Sequence, residues 1–213
     1  MKALITGGTS GIGLATAELL RSKGWEVEAW GRKEMGWNGL YDNIDRYLEN
    51  KVDVPVALIL CAGEWFSGPR ADQLVADYEH HFDILMRHWA IMNNVLDVVG
   101  DNSVVIGVAS TRAFIGGVET GPYSVAKAAL VAMIQGYARE YGRGIRFNCV
   151  CPGLTDTEMG QQVVATGGAK PGTIGQPPES VAQAIVGLIE SDANGRIVRV
   201  VDGVTTEAKW TWE

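Results

Sequence analysis

The chain has 213 residues, 46% of them hydrophobic and 20% charged, which excludes an intrinsically disordered protein. Lys and Arg number 18 against 25 Asp and Glu, and this net charge of -7 argues against a binder of nucleic-acid phosphates or of an anionic membrane surface. Three cysteines cannot build a disulfide framework, which points to a reducing cytoplasm, and no apolar run approaches the ~20 residues of a membrane span.

Met1 to Ile5 runs at once into Thr6-Gly7-Gly8, which does not read as a signal peptide. Ala3 to Thr6 reads as a first strand and Ile12 to Lys23 as a helix stopped by Gly24. Trp25 to Trp30 is a second strand, and Tyr41 to Lys51 leaves room for one helix. Val56 to Leu60 and Val104 to Ala109 are continuous apolar runs, as expected of strands buried on both faces. Between them, Leu74, Tyr78, Phe82, Leu85, Trp89, Met92 and Leu96 recur at helical spacing. Pro122 to Tyr141 is a long helix with proline in its first turn. Ile145 to Val150, a helix from Pro178 to Ser191, and Ile197 to Val201 complete the alternation. Strands alternating with helices predict a doubly wound α/β fold with a parallel sheet, here as one domain over residues 1–213. Thr157 to Gln176 breaks the pattern with five glycines and Pro171, and its place after a strand end suggests an active-site lid.

The turn between the first strand and the first helix reads Thr6-Gly7-Gly8-Thr9-Ser10-Gly11-Ile12-Gly13. Four glycines in seven residues exceed what an ordinary turn needs. They suit a backbone that must approach a pyrophosphate at a helix N-terminus. Further along, Tyr123 and Lys127 stand one helical turn apart on one face. A free phenol titrates near ~10, and a neighbouring ammonium favours its ionised form, which brings it towards acid–base work. Taken alone, such a pair is common on solvated helices. Ser110, at the end of a buried strand, adds a hydroxyl where open α/β sheets place their ligands.

Together these motifs resemble the short-chain dehydrogenase/reductase family over nearly the whole chain. Thr6 to Gly13 is similar to its cofactor turn, and Cys61-Ala62-Gly63 to its Asn-Ala-Gly, with cysteine for asparagine. Ser110, Tyr123 and Lys127 fall at the family's catalytic spacing. Ile145 to Gly153 resembles its Ile-Arg-Val-Asn-x-Val-x-Pro-Gly stretch, and Val201-Asp202-Gly203 its closing motif. The resemblance implies a Rossmann-type domain and a carbonyl/alcohol oxidoreductase acting on a small molecule with a nicotinamide cofactor. It assigns Tyr123 as acid–base, Ser110 as the group that positions the substrate oxygen, and Lys127 as its electrostatic partner and a ribose ligand. The cofactor-binding residues it implies are Gly7, Thr9, Ser10, Gly11, Ile12, Gly13, Cys61, Ala62, Gly63, Tyr123, Lys127, Pro152, Gly153 and Thr157, the last beside the carboxamide. A homo-oligomer, dimer or tetramer, is also implied.

NAD binding would call for a carboxylate at the end of the second strand, to hold the ribose hydroxyls. Here Gly31 is followed by Arg32 and Lys33, and the fork of Arg32 suits a 2′-phosphate, so NADP is expected, with NAD as the alternative. No clear third strand stands between Gly31 and Cys61, which predicts a short or missing strand there and a second strand near the sheet edge. His80, His81 and His88 lack ligand-spaced partners, so no metal site is expected. Cys149 and Cys151 read as core thiols, while Trp65, Phe66, Arg112 and Phe114 are candidates to line a substrate pocket. Competing functions are an NAD-dependent sugar or polyol dehydrogenase and a catalytically silent redox sensor. One departure stands out. Leu85 occupies the place where the family's long helix carries an asparagine that holds a water on the lysine. That change predicts a slow proton step, unless His81 or Asp83 stands in.

Overall fold

The computed structural model describes residues 1–31, 56–65, 75–115 and 121–209. Seven strands form one sheet: β1 (Lys2–Thr6), β2 (Glu26–Trp30), β3 (Val56–Leu60), β4 (Val104–Val108), β5 (Arg146–Pro152), β6 (Ile197–Val201) and β7 (Val204–Ala208). Their order is β2-β1-β3-β4-β5-β6-β7, parallel throughout except for the last pair. In register, Ile5 lies between Ala29 and Ile59, and Ile106 between Ile59 and Asn148. β3 and β4 are buried along their full length, which is why their sequences are unbroken apolar runs.

The helices lie on both faces. α1 (Gly11–Ser22), α2 (Val75–Leu96), α3 (Arg112–Ile115), α4 (Gly121–Glu140), α5 (Glu158–Ala165) and α6 (Pro178–Glu190) follow in chain order. Alternation along each strand supplies both cores. Ala3, Ile5, Ala57 and Ile59 pack with Ala17 and Leu20 of α1 and Ile185 of α6. Leu4, Leu58 and Leu60 pack instead with Ile91 and Met92 of α2 and Leu130 and Ile134 of α4. Val27 and Ala29 of β2 join the first core and Trp30 the second, while Glu26 is exposed.

Four sequence expectations need correction. The sheet is not wholly parallel: Asp202 and Gly203, both at positive φ, form a two-residue hairpin that adds β7 antiparallel. The 157–176 stretch is not all loop, because it begins with α5. Thr157 caps this helix, its hydroxyl accepting from the Gly160 amide at 3.1 Å. On α2 the apolar spacing does form a helix and buries Met92 and Leu96, but most of its buried face lies on the neighbouring stripe. His81, Ile84, His88, Ile91 and Val95 point inward, while Tyr78, Phe82 and Trp89 are exposed. Finally, His80 does have a carboxylate partner, Glu64, brought in from the end of β3. The stretch before Val56 in which a strand was expected to be short or missing, the Tyr41–Lys51 helix, Arg32 and Phe66 fall outside the described residues. Among the described ones, β2 is the outer strand on its side of the sheet.

Candidate active site

The strand ends β1, β3, β4 and β5 converge on one edge, and the site is built there. The Thr6 hydroxyl accepts from the amides of Cys61 and Ala62 at 3.0 and 3.2 Å, clamping the end of β1 to the turn after β3. That contact presses the glycine-rich turn against the second loop. A Cβ on Gly7, whose φ is +68, would meet the Ala62 Cα at 2.8 Å, and one on Gly13 would meet the Gly7 carbonyl oxygen at 2.1 Å. The turn therefore brings bare backbone to the start of α1. Ser10, its N-cap residue, makes no side-chain capping bond. The first amides of α1 are left for a ligand, with the helix dipole favouring an anion. This cradle fits the diphosphate of a dinucleotide. The carbonyl of Trp30 accepts from the Gly8 amide at 3.0 Å, so the end of β2 and buried Gly31 lie beside the same turn.

Cys61, at the family's asparagine position, is a partly buried residue whose thiol is pushed up to about 11 by desolvation, with Lys127 opposing. It is therefore a neutral packing group at physiological pH. Pro152 and Gly153 end β5, the Pro152 carbonyl accepting from the Thr111 amide at 2.9 Å and the Gly153 amide donating to Val200 at 2.8 Å. Thr157 stands across from the glycine turn, its methyl 3.0 Å from where a Gly11 Cβ would be.

Tyr123, in the first turn of α4, is 8% exposed, as is Ser110 just past β4. The Ser110 hydroxyl accepts from the Arg112 amide at 3.2 Å and keeps its own proton to donate. Lys127 lies over the Tyr123 ring, its ammonium 5.7 Å from the ring centroid, and donates to the Val108 carbonyl at 3.0 Å. Gly63 lies beside that ammonium, a Cβ there falling 3.4 Å from it at ordinary contact distance. Ser110, Tyr123 and Lys127 are thus gathered at the end of β4.

Of the candidate pocket residues, Trp65 meets Tyr123 edge-on at 5.0 Å between ring centroids. Its indole N–H donates to Thr166 at 3.0 Å, and Gly168 lies flat against its ring, where a Cβ would come within 2.6 Å. Arg112 donates to the Gly168 carbonyl at 2.7 Å. The segment after α5 is therefore folded over the site. It is also tied down at its far end, where buried Gln176 donates to Val200 at 2.8 Å and accepts from the Gly203 amide at 2.9 Å. Phe114 is partly buried and packs against the core.

Behind Tyr123 and Lys127 lies a recess lined by Gly63, Glu64, His81, Leu85, His88 and Leu130, among others. His81 meets the Tyr123 ring edge-on at 5.8 Å. Leu85 does line this recess. Asp83 does not, because it is half exposed and accepts from Arg87 at 2.6 Å. His88 is the residue the sequence reading missed. Its position seven residues after His81 and three after Leu85 puts all three on one helical face, and that spacing was the available signal.

Residues 32–200 match the family model described as enoyl-(acyl carrier protein) reductase. The chain is 28% identical over 245 residues to human 3-hydroxyacyl-CoA dehydrogenase type-2, covering 93% of this chain and 92% of that protein. It is 26% identical over 194 residues to the 3-oxoacyl-[acyl-carrier-protein] reductase of Chlamydia pneumoniae, covering 74% and 75%. A solved short-chain dehydrogenase/reductase family protein superposes with a TM-score of 0.78 at 25% identity, over 95% of this chain and 96% of that one. The nucleotide cradle, the sheet order and these matches lead to one assignment. The chain belongs to the short-chain dehydrogenase/reductase family, oxidoreductases that interconvert carbonyls and alcohols with a nicotinamide cofactor.

Proposed function

We propose that the protein uses NADP(H) to interconvert a small carbonyl compound and its alcohol, with Tyr123 as the acid–base group. The observation that carries this reading is the Lys127 ammonium, held over the Tyr123 ring by the Val108 carbonyl at the strand end where Ser110 stands. In the reductive direction the Ser110 hydroxyl donates to the substrate oxygen and holds it beside the phenol. Tyr123 gives its proton to that oxygen as negative charge develops there. Lys127 stabilises the phenolate left behind, and Trp65 with the folded-over segment keeps water from the reacting carbon. Gly7, Gly11 and Gly13 with the first amides of α1 would hold the diphosphate, while Lys127 and Thr157 would hold the nicotinamide end. The bound cofactor supplies or accepts the hydride.

The preference for NADP rests on Gly31, which offers no carboxylate beside the cofactor turn, and on Arg32, whose guanidinium suits a 2′-phosphate. Relatives named for 3-oxoacyl and 3-hydroxyacyl substrates add acyl thioesters to the carbonyls worth testing. The experiment is a panel of ketones, aldehydes and 3-oxoacyl thioesters assayed with NADPH and NADH. Oxidation of NADPH, and an Arg32→Ala variant that loses affinity for NADPH but not NADH, support the reading. Equal binding of both cofactors, unchanged in Arg32→Ala, overturns the NADP assignment. Tyr123→Phe removes only the phenol's proton, so its turnover should fall by at least ~10²-fold with cofactor affinity intact. Retained activity would overturn the role of Tyr123.

A further inference from the structure

We propose that His88 holds a water against Lys127 in the recess behind the site, giving the lysine a hydrogen-bonded path to solvent. This rests on the reading of Tyr123 and Lys127 as the proton-handling pair. His88 is 2% exposed, and its buried Nε2 has no hydrogen-bond partner among the described residues. A buried polar atom left unpaired costs ~1–3 kcal/mol, so such atoms usually meet an ordered water. The recess that His88 shares with Lys127 has a volume of about 20 Å³ measured at water centres. One water needs ~10–15 Å³ on that measure, together with two to four polar partners.

The partners are present. Lys127 has three N–H groups and spends one on the Val108 carbonyl. A neutral imidazole carries one acceptor nitrogen, so a water can donate to His88 Nε2 while it accepts from Lys127 Nζ. Burial and the nearby Lys127 push the His88 imidazole down to about 3, which keeps it neutral while it does so. Glu64, His81 and Tyr123 are the other polar side chains of the wall, and Leu85, Ile84, Ala126 and Leu130 form its apolar part. Leu85 can make no hydrogen bond, and the side chain one helical turn along supplies one instead. Asn93 does not reach this point, because its amide donates to Trp89 and its oxygen accepts from Tyr137. Once Lys127 has given a proton towards the Tyr123 phenolate, the water replaces it and takes one from bulk solvent, so neither the water nor His88 changes charge over a cycle.

The test has a structural arm and a kinetic arm. Crystal structures of the wild-type protein and His88→Leu, at a resolution that shows waters, should reveal a water between Nε2 and Nζ that the variant loses. A recess without that water overturns the proposal whatever the enzyme's activity. In the kinetic arm, His88→Leu should lower kcat ~10-fold at unchanged cofactor KM, and His88→Gln, which can still hydrogen-bond, should recover most of it. Thermal unfolding checks that each variant is folded, and His88→Met replaces the leucine variant if that one is not. A folded apolar variant with wild-type kcat, or a glutamine variant no better than it, overturns the role in proton transfer. A wild-type protein that holds the water but reduces no carbonyl overturns the oxidoreductase reading instead.

Discussion

Leu85 and His88 stand one turn apart on α2, and both line the recess behind Lys127. From sequence alone, Leu85 predicted a slow proton step. With His88 facing the same space, Leu85→Asn is expected to change turnover by less than about threefold, because the water it would recruit already has a holder. A gain of tenfold or more at saturating substrate would show that Leu85 does limit the enzyme. The buried histidines also predict how stability depends on pH. Burial, then Lys127, pushes His88 down to about 3. Burial, then His80 and Lys127, with Asp77 opposing, pushes His81 down to about 4. An unfolded imidazole binds its proton near ~6.5, so below that value the unfolded state takes up protons that the folded state refuses. Stability is therefore complete above pH ~6.5 and is lost as pH falls towards the folded values. His88 contributes up to ~1.4 kcal/mol per pH unit and the less enclosed His81 a smaller amount. Urea midpoints at pH 7 and pH 5 should differ in this direction, and His88→Gln should flatten the difference. An equal slope in that variant would assign the acid sensitivity to other groups.

At the scale of elements, Arg146 ties β5 to α6. Its guanidinium donates to the carbonyls of Leu188, Ile189 and Ser191, closing the C-terminal end of α6. Arg146→Met keeps the stem but leaves those carbonyls without the donor, and should cost ~1–3 kcal/mol by urea unfolding. Most elements were legible in the sequence. β3 and β6 were read to the residue, and α1, α4 and α6 within one or two, because two-sided burial and helical periodicity leave plain patterns. The misses have local causes. α5 is short, and its Gly160 weakens a helical pattern, yet no side chain fits there, since a Cβ would lie 1.9 Å from the Thr155 carbonyl oxygen. β7 is exposed on nearly every residue, so it shows no apolar alternation. On α2, two stripes compete at helical spacing, and histidines were counted as polar although the core takes them in. The convergence of Ser110, Tyr123 and Lys127 at the end of β4 was legible from the strand end, the helical spacing and the family resemblance together, since the Tyr–Lys pair alone is common on solvated helices. The Glu64–His80 pair was not, because tertiary packing brings Glu64 to the helix, and the spacing of His88 from His81 and Leu85 showed a shared face but not what that face meets.

For the whole molecule, the sheet separates two cores, and α2 covers one of them with only part of its apolar surface. Tyr78, Phe82, Met86 and Trp89 follow one another along its outer face, each between 38 and 53% exposed. That stripe is the expected contact for the homo-oligomer that the family resemblance implies. Sedimentation should find the wild-type chain as a dimer or tetramer and Trp89→Glu as a smaller species. A wild-type monomer would remove the need for a partner on that face. Two rings also meet Tyr123 edge-on, Trp65 tied to the folded-over segment and His81 lining the recess. On the proposed reading, substrate would meet the phenol beside Trp65 and the segment around Gly168, whereas a proton leaving past Lys127 and His88 would enter the recess between α2 and α4. Traffic in protons and traffic in substrate therefore need not share a door. The enzyme can come to protonic equilibrium with its surroundings while its organic cargo is still enclosed. A sudden change of external pH would then be felt by the closed complex before any product departs.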